Sequence, residues 1–124
     1  MAFHNLLGEE GEKIAVKFLK SKGYIIYQTN WRFGKLEIDI IAEDGKELVF
    51  IEVKTRSSEG YGRPEESVDD KKELSLLNAA DIYVRDFNLE IEVRFDIISL
   101  IINEKKTSIK HIIDAFSGID QAYY

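Results

Sequence analysis

Hydrophobic and polar positions along the chain predict an alternation of helices and strands. Apolar residues recur at helical spacing over residues 9–21, and Gly23 follows as a natural stop. A second helix is predicted over residues 66–86, after a glycine-containing loop over 57–65. Runs rich in Ile, Val and Phe predict strands over residues 24–27, 36–42, 48–55 and 89–102, with a further strand beginning near Ser108. This order predicts an α/β fold in which a mixed sheet is flanked by helices.

The two central strands are joined by Asp44-Gly45, a dipeptide typical of two-residue hairpin turns. With these residues in the turn, the cross-strand pairs are Asp39 with Phe50 and Glu37 with Glu52. Side chains alternate along a strand, and residues directly opposite each other share a face. The hairpin is therefore predicted to gather four polar side chains on one face, namely those of Glu37, Asp39, Glu52 and Lys54.

Three carboxylates on one face repel each other, and a lysine offsets only part of that repulsion. A hard divalent cation such as Mg²⁺ or Mn²⁺ prefers carboxylate oxygens and offsets more of it. Such a metal would polarise a phosphate and lower the pKa of a bound water, while Lys54 could orient that water or neutralise developing charge. A solvated strand face or a cross-strand ion pair is the competing interpretation. The apolar residues on both sides of the strand before Glu52 favour function, because burying unpaired charge is costly.

Composition and charge narrow the class of protein. A chain of 124 residues, 44% hydrophobic and 32% charged, predicts one globular domain over residues 1–124. The sequence has no cysteine, which excludes disulfides and thiolate metal sites. It shows no export signal and no apolar run near the ~20 residues of a membrane helix, so a cytoplasmic protein without a membrane partner is expected. The net charge of −6 argues against coating nucleic acid by charge alone.

The hairpin segments Glu37-Ile38-Asp39-Ile40-Ile41-Ala42 and Val49-Phe50-Ile51-Glu52-Val53-Lys54-Thr55-Arg56 carry a family resemblance. Further matches are Gly11-Glu12, Ala15, Phe18-Leu19, Asn30, Arg32, Val68, Lys72, Arg94-Phe95-Asp96 and Ile113-Asp114-Ala115-Phe116. Together these segments resemble the YraN-type family of small, largely uncharacterised bacterial proteins over nearly the whole chain. The resemblance implies a restriction-endonuclease-like fold and membership of the PD-(D/E)xK nuclease superfamily.

That superfamily implies metal ligands at Asp39 and Glu52 and a catalytic lysine at Lys54. Its archaeal Holliday-junction resolvases have a similar helix glutamate, here Glu12, and act on DNA as Mg²⁺-dependent homodimers. The resemblance therefore predicts that Glu12 is a supporting ligand or binds a metal-bound water. Glu37, from its place on the same predicted hairpin face, is expected to be a nearby supporting acid. Spacing alone favours an ordinary first-turn helix residue for Glu12.

Four basic residues are candidates for contact with nucleic acid, and each is also open to an ordinary surface role. They are Arg32, Arg56, Arg63 and Lys72. Trp31 is predicted to lie in the core rather than to stack on a base. Arg94 and Asp96 are predicted to pair on the polar face of their strand, and His111 is given no role because it shares no ligand spacing with His4.

The sequence thus predicts a metal-dependent endonuclease acting on DNA, with branched or single-stranded DNA as candidate substrates and a homodimer as the candidate assembly. A non-catalytic nucleic-acid-binding module on the same scaffold is the alternative. A scaffold protein without a nucleic-acid partner is a third interpretation.

Overall fold

The computed structural model describes residues 2–58 and 68–116. Within these residues the elements are α1 (Ala2–Ser21), β1 (Ile25–Phe33), β2 (Leu36–Asp44), β3 (Glu47–Arg56), α2 (Asp70–Asp86), β4 (Glu92–Ile102) and β5 (Thr107–Phe116). The five strands form one sheet in chain order, in which β3 and β4 are parallel and the other neighbours antiparallel. This mixed sheet with two flanking helices confirms the predicted α/β class and is consistent with a restriction-endonuclease-like fold.

Each helix packs on its own cluster of sheet side chains. Helix α1 places Ala15 and Leu19 against residues such as Ile51, on what we call the α1 face. Helix α2 places residues such as Tyr83 against Phe50, on the α2 face. The middle of β3 is therefore buried on both sides, which explains why its sequence is apolar at consecutive positions.

The helix boundaries differ from the sequence prediction at both helix starts. Helix α1 begins at Ala2, so Glu12 lies in the middle of the helix and its interpretation as a first-turn residue is wrong. Helix α2 begins at Asp70, where the Asp69 carboxylate accepts a hydrogen bond from the Lys72 backbone N–H at 2.9 Å and caps the first turn. Most of the predicted loop, including Arg63, lies outside the described residues.

The hairpin turn lies one residue later than predicted. Asp44 pairs with Glu47 and Ile40 with Ile51, so the turn is Gly45-Lys46 and the predicted pairing of Asp39 with Phe50 is wrong. Gly45 has φ 61°, a backbone conformation that glycine adopts without strain and that favours this turn. The cross-strand partner of each residue moves by two positions. Because side-chain direction along a strand repeats every two residues, this change leaves the residues of a regular strand on the same face.

Arg94 and Asp96 do pair, but the strand face that carries them is buried rather than solvated. Arg94 Nε and Nη2 donate to the two oxygens of Asp96 at 2.9 Å each, and Nη2 also donates to the Tyr24 hydroxyl at 2.8 Å. His111 Nε2 lies 2.7 Å from Asp96 Oδ2. Charged groups in a core require such partners, because they offset the cost of removing the charges from water. The alternation of the sequence did not predict that this strand face is buried.

Gly11 permits a close approach of α1 to β3. A Cβ atom built at this position would lie 1.9 Å from Thr55 Oγ1 and 3.0 Å from two Thr55 carbons. We expect Gly11→Ala to lower the free energy of unfolding by about 1–3 kcal/mol, because the overpacked helix must move away from the strand.

Urea unfolding measures this effect, with Gly8→Ala as the matched control in the same helix. A Cβ at Gly8 meets nothing within 4 Å, so that variant should gain up to about 1 kcal/mol through helix propensity. Adding Thr55→Ala to Gly11→Ala should restore part of the stability. Equal stability of the two alanine variants would contradict the close-approach explanation.

Candidate functional site

Strands β2 and β3 part at Asp39. The ladder between them ends with the pair Ile40 and Ile51. Beyond it, Asp39 Oδ2 accepts a hydrogen bond from the Val53 backbone N–H at 2.8 Å, so a side chain takes the place of a backbone partner. This bond holds the Asp39 carboxylate in the gap between the two strands.

The alternation of side chains along β2 is interrupted at the same point. Ile38 and Ile41 are three residues apart and both pack in the α2-face cluster, whereas Ile40 packs in the α1-face cluster. In a regular strand, residues three apart lie on opposite faces. The irregularity places Glu37 on the α1 face, so the predicted sharing of one face by Glu37 and Glu52 is wrong.

Asp39 and Glu52 form a closely coupled carboxylate pair. Burial raises the pKa of Asp39 to about 7, and the adjacent charge of Glu52 adds to the rise. The hydrogen bond from Val53 opposes it, while the Glu12 charge and a hydrogen bond with the Glu52 side chain support it. Near neutral pH the Asp39 carboxyl is therefore partly protonated, and a bound cation would displace that proton.

Two lysine side chains meet the buried carboxylate of Glu52, which is only 5% exposed. Lys54 Nζ lies 3.3 Å from Glu52 Oε2, and Lys72 Nζ lies 3.4 Å from the same oxygen. Lys54 lies near the end of β3 and Lys72 in the first turn of α2. Two elements that are distant in the sequence therefore place their ammonium groups beside the same carboxylate. Two ammonium groups thus face one end of the carboxylate pair.

Glu12 approaches from the opposite side, on α1. Burial raises its pKa, a hydrogen bond with the Asn30 side chain lowers it, and the charges of Glu37 and Glu52 raise it. The Glu12 charge thus interacts with all three carboxylates of the hairpin, those of Glu37, Asp39 and Glu52. Glu37 itself is paired with Arg32, whose Nη2 lies 3.4 Å from Glu37 Oε1.

A cleft of about 870 Å³ opens beside these residues, between α1 and the β1–β2 strands. It is lined by Gly8, Glu9, Glu12, Lys13, Val16, Thr29, Asn30, Arg32 and Glu37. Its lining includes both acidic and basic side chains, so a charged ligand would meet both signs there.

The remaining predicted residues lie at the carboxylate pair, on the cleft, at the end of β3 and against the core. Lys72 joins the carboxylate pair, and Arg32 lies on the cleft. Arg56 lies partly buried at the end of β3. Trp31 packs against Tyr83 with ring centroids 5.4 Å apart, as predicted for a core tryptophan.

Sequence reasoning missed Asn30 as a member of the site. The available signal was its residue type, because asparagine tolerates the left-handed backbone (φ 53°) that it adopts here. That preference is too common to identify a site without the fold.

The carboxylates of the site can supply only part of the coordination shell of a divalent cation. Across residues 2–58 and 68–116, no three His, Asp or Glu side chains are arranged to hold a metal among themselves. Asp39 and Glu52 alone supply two carboxylates. This suits Mg²⁺, which is often held by one or two carboxylates with water and substrate phosphate completing its shell. The raised pKa of Asp39 also fits a metal site, because a bound cation would stabilise the ionised carboxylate that burial and Glu52 disfavour.

No helix within the described parts of the chain is long and apolar enough to cross a membrane.

Comparison with known proteins identifies the family. The model of the family described as "Uncharacterised protein family UPF0102" matches residues 11–100. Proteins named "UPF0102 protein" from Christiangramia forsetii and Phocaeicola vulgatus are each 47% identical over 116 residues, which is 94% of this chain and 98% and 96% of theirs. The Bacteroides thetaiotaomicron protein of the same name is also 47% identical over 116 residues, with 94% and 96% coverage. These matches confirm the resemblance to the YraN-type family, while its placement in the nuclease superfamily stays a prediction. The chain belongs to the uncharacterised protein family UPF0102.

Proposed function

We infer that this chain is a Mg²⁺-dependent nuclease that hydrolyses phosphodiester bonds in DNA. The observation that carries this proposal is the meeting of the Asp39–Glu52 carboxylate pair with two lysines at the parting of β2 and β3. The two carboxylates could bind a metal ion, and the two lysines could neutralise the negative charge of a phosphodiester bound to that metal.

Asp39 and Glu52 would hold the metal, and Glu12 would support it through a bound water rather than as a third ligand. When bound, Mg²⁺ would supply Lewis acidity to a phosphate oxygen and acidify a coordinated water. The hydrogen bond from Val53 fixes one oxygen of Asp39, which leaves the other for a ligand. Glu37 has a different task in this proposal, since its pairing with Arg32 keeps that arginine at the cleft.

Lys54 is the proposed catalytic lysine. Its ammonium group lies beside Glu52 and is about one-third exposed, so it can reach a substrate as well as the carboxylate. There it would orient the attacking water or neutralise charge on the phosphate in the transition state. Lys72 would bind a neighbouring phosphate oxygen from the first turn of α2.

DNA is the proposed substrate, with branched or single-stranded DNA as the favoured forms and a homodimer as the proposed assembly. These finer assignments rest on the resemblance to the superfamily. The net charge of −6 makes binding depend on the local basic groups, so DNA affinity should fall steeply with salt.

Cleavage of labelled branched and single-stranded DNA with Mg²⁺ or Mn²⁺ tests the proposal. We expect the wild-type protein to cut and Lys54→Ala to lose activity by about 10²–10⁴-fold, which is typical for removing a proton-transfer or charge-stabilising group. Lys46→Ala is the matched control, because this exposed lysine lies in the turn at the other end of β3.

Equal cleavage by Lys54→Ala and wild type would contradict the assignment of the catalytic lysine. DNA binding that is unaffected by EDTA, with no cleavage of any of these substrates, would favour the non-catalytic binding module instead. Neither binding nor cleavage would favour the scaffold interpretation.

A further inference from the structure

The turn between β1 and β2 carries an aromatic side chain that the fold leaves half exposed. Residues 32–35 form this turn and its flanks, which we call the hairpin tip. Phe33 pairs with Leu36 across the turn, and it is 51% exposed. Its ring lies nearly parallel to the ring of Trp31, at an interplanar angle of 17° and with ring centroids 6.4 Å apart. Phe33 therefore extends a stack of aromatic rings from the sheet into solvent.

The core holds the inner ring of this stack in place. Trp31 meets the ring of Tyr83 edge-on, at an interplanar angle of 89° and with ring centroids 5.4 Å apart. It also packs against the α2-face cluster. Phe33 thus lies on a fixed support, and a ring that is already oriented loses little conformational freedom when a flat ligand stacks on it.

Basic residues lie on both sides of Phe33 along the chain. Arg32 precedes it with a side chain that is 70% exposed, and Lys35 in the turn is exposed as well. The ion pair with Glu37 offsets part of the Arg32 charge. An exposed aromatic ring among cations suits single-stranded nucleic acid, whose bases stack on such rings and whose phosphates are negative.

The hairpin tip lies on the same face of the sheet as the lysines of the candidate site. Leu36, the partner of Phe33, packs against the α2-face cluster, and Lys72 reaches Glu52 from α2 on that face. Leu36 precedes Asp39 by three residues of β2, which is about 10 Å at the usual rise of a strand. A DNA strand with one phosphate at the carboxylate pair would therefore bring a nearby nucleotide over the tip.

We propose that the hairpin tip binds an unpaired nucleotide of DNA, with the base stacked on Phe33 and the adjacent phosphates near Arg32 and Lys35. The proposal deepens the proposed nuclease function and rests on it for the choice of DNA. Bases inside an intact duplex are stacked on each other and do not offer their faces to a side chain, whereas unpaired bases do. The tip therefore selects DNA that contains a single-stranded segment.

Titration with a short fluorescein-labelled oligothymidylate, followed by anisotropy, tests the stacking. Phe33→Ala should lower the affinity by about 5–150-fold, the range for losing one base–aromatic stack. Phe33→Leu should lose a similar amount, because leucine keeps the apolar bulk without an aromatic face, whereas Phe33→Tyr should bind like the wild type. Phe87→Ala is the matched control, since Phe87 is 52% exposed and also contacts Tyr83 but has Asp86 as its neighbour instead of a basic residue.

Two further readouts locate the contact and identify its chemistry. Trp31 is the only tryptophan of the sequence, so its fluorescence should change when oligothymidylate binds to the wild type and change less in Phe33→Ala. A blunt duplex of the same length should bind about equally to these two proteins. Lys35→Ala should reduce the slope of log affinity against log salt concentration by about 0.7, the value for one phosphate contact on a single strand. Lys46→Ala, in the other hairpin turn, should leave this slope unchanged.

The titrations are made with CaCl₂ and again with EDTA, and the effect of Phe33→Ala should be the same in each condition in which the wild type binds, because the tip holds no metal ligand. Equal affinity of Phe33→Ala and wild type for oligothymidylate, or no binding by the wild type in either condition, would overturn the proposal. DNA cleavage by the wild type would then still leave the nuclease function standing. Binding that is lost in Phe33→Ala, from a wild type that cuts no DNA, would support the hairpin tip and contradict the nuclease function.

Discussion

Asp39→Asn is expected to abolish DNA cleavage and, at pH 8, to make the folded protein more stable than the wild type. The asparagine keeps an oxygen that can accept the Val53 hydrogen bond and removes a charge that burial and Glu52 disfavour. We expect activity to fall by at least about 10²-fold, since a proposed metal ligand is lost. A gain in stability with a loss of activity is the pattern expected where function requires a destabilising group.

The stability difference should depend on pH in a defined direction. The pKa of Asp39 rises from an ordinary 3.8 to about 7 in the folded protein. As pH rises, Asp39 therefore ionises in the unfolded chain before it ionises in the folded protein. The free energy of unfolding of the wild type falls as a result between about pH 4 and pH 7. Above pH 7 the free energy of unfolding of the wild type stays below that of Asp39→Asn by a constant amount. We expect this difference to be on the order of 2 kcal/mol, because the group is only partly buried.

Urea unfolding of wild type and Asp39→Asn at pH 4 and pH 8 measures this difference. The two proteins should be nearly equal at pH 4 and differ at pH 8, where added Mg²⁺ should stabilise the wild type and not the variant. Asp81→Asn is the control, because Asp81 is exposed and pairs only with Arg85 among the ion pairs of the described residues. A wild type more stable than Asp39→Asn at pH 8 without metal would contradict the coupled carboxylate pair.

Asp96→Asn is expected to lower the free energy of unfolding by about 3–5 kcal/mol, the range found when one partner of a buried ion pair is removed. Asp96 is 1% exposed, and its oxygens accept hydrogen bonds from Arg94 and from the Asp114 backbone N–H at 3.0 Å, with His111 as a further partner. The amide cannot accept all of these bonds, and it leaves the Arg94 charge buried with fewer partners.

The pH dependence of this second difference should have the opposite sign. Burial alone would raise the pKa of Asp96, but the hydrogen bonds from His111, Arg94 and the Asp114 backbone outweigh it, so the pKa is lowered. Its stabilisation is therefore complete above the ordinary pKa of about 4 and is lost as pH falls through the lower folded value. The gap between wild type and Asp96→Asn should narrow below pH 4.

Urea unfolding at pH 7 measures the effect, again against Asp81→Asn. That control breaks an exposed ion pair of the same chemical type and should change stability by less than about 1 kcal/mol. Similar effects for the two variants would contradict a structural role for the buried Arg94–Asp96 pair. A loss confined to Asp96→Asn would place this pair among the main stabilising contacts of the fold.

The sequence by itself determined the fold class and the acidic residues of the hairpin. Consecutive apolar positions in β3 indicated burial on both faces, and local periodicity located both helices. The predicted grouping of Asp39 with Glu52 did not depend on the exact turn, because a register change of two residues keeps the side chains of a regular strand on the same face. These properties depend on neighbours in the sequence, which a pattern can reveal.

Only the tertiary structure decided which distant residues complete the site. Glu12 and Lys72 come from different helices and reach the same carboxylate pair only after both helices have packed on the sheet. The irregularity of β2 lies where this strand parts from β3, so the alternation within β2 could not predict it or the displacement of Glu37. The burial of Arg94 likewise depends on residues distant in the sequence, because its guanidinium contacts Tyr24 and Asp44 once the strands are assembled.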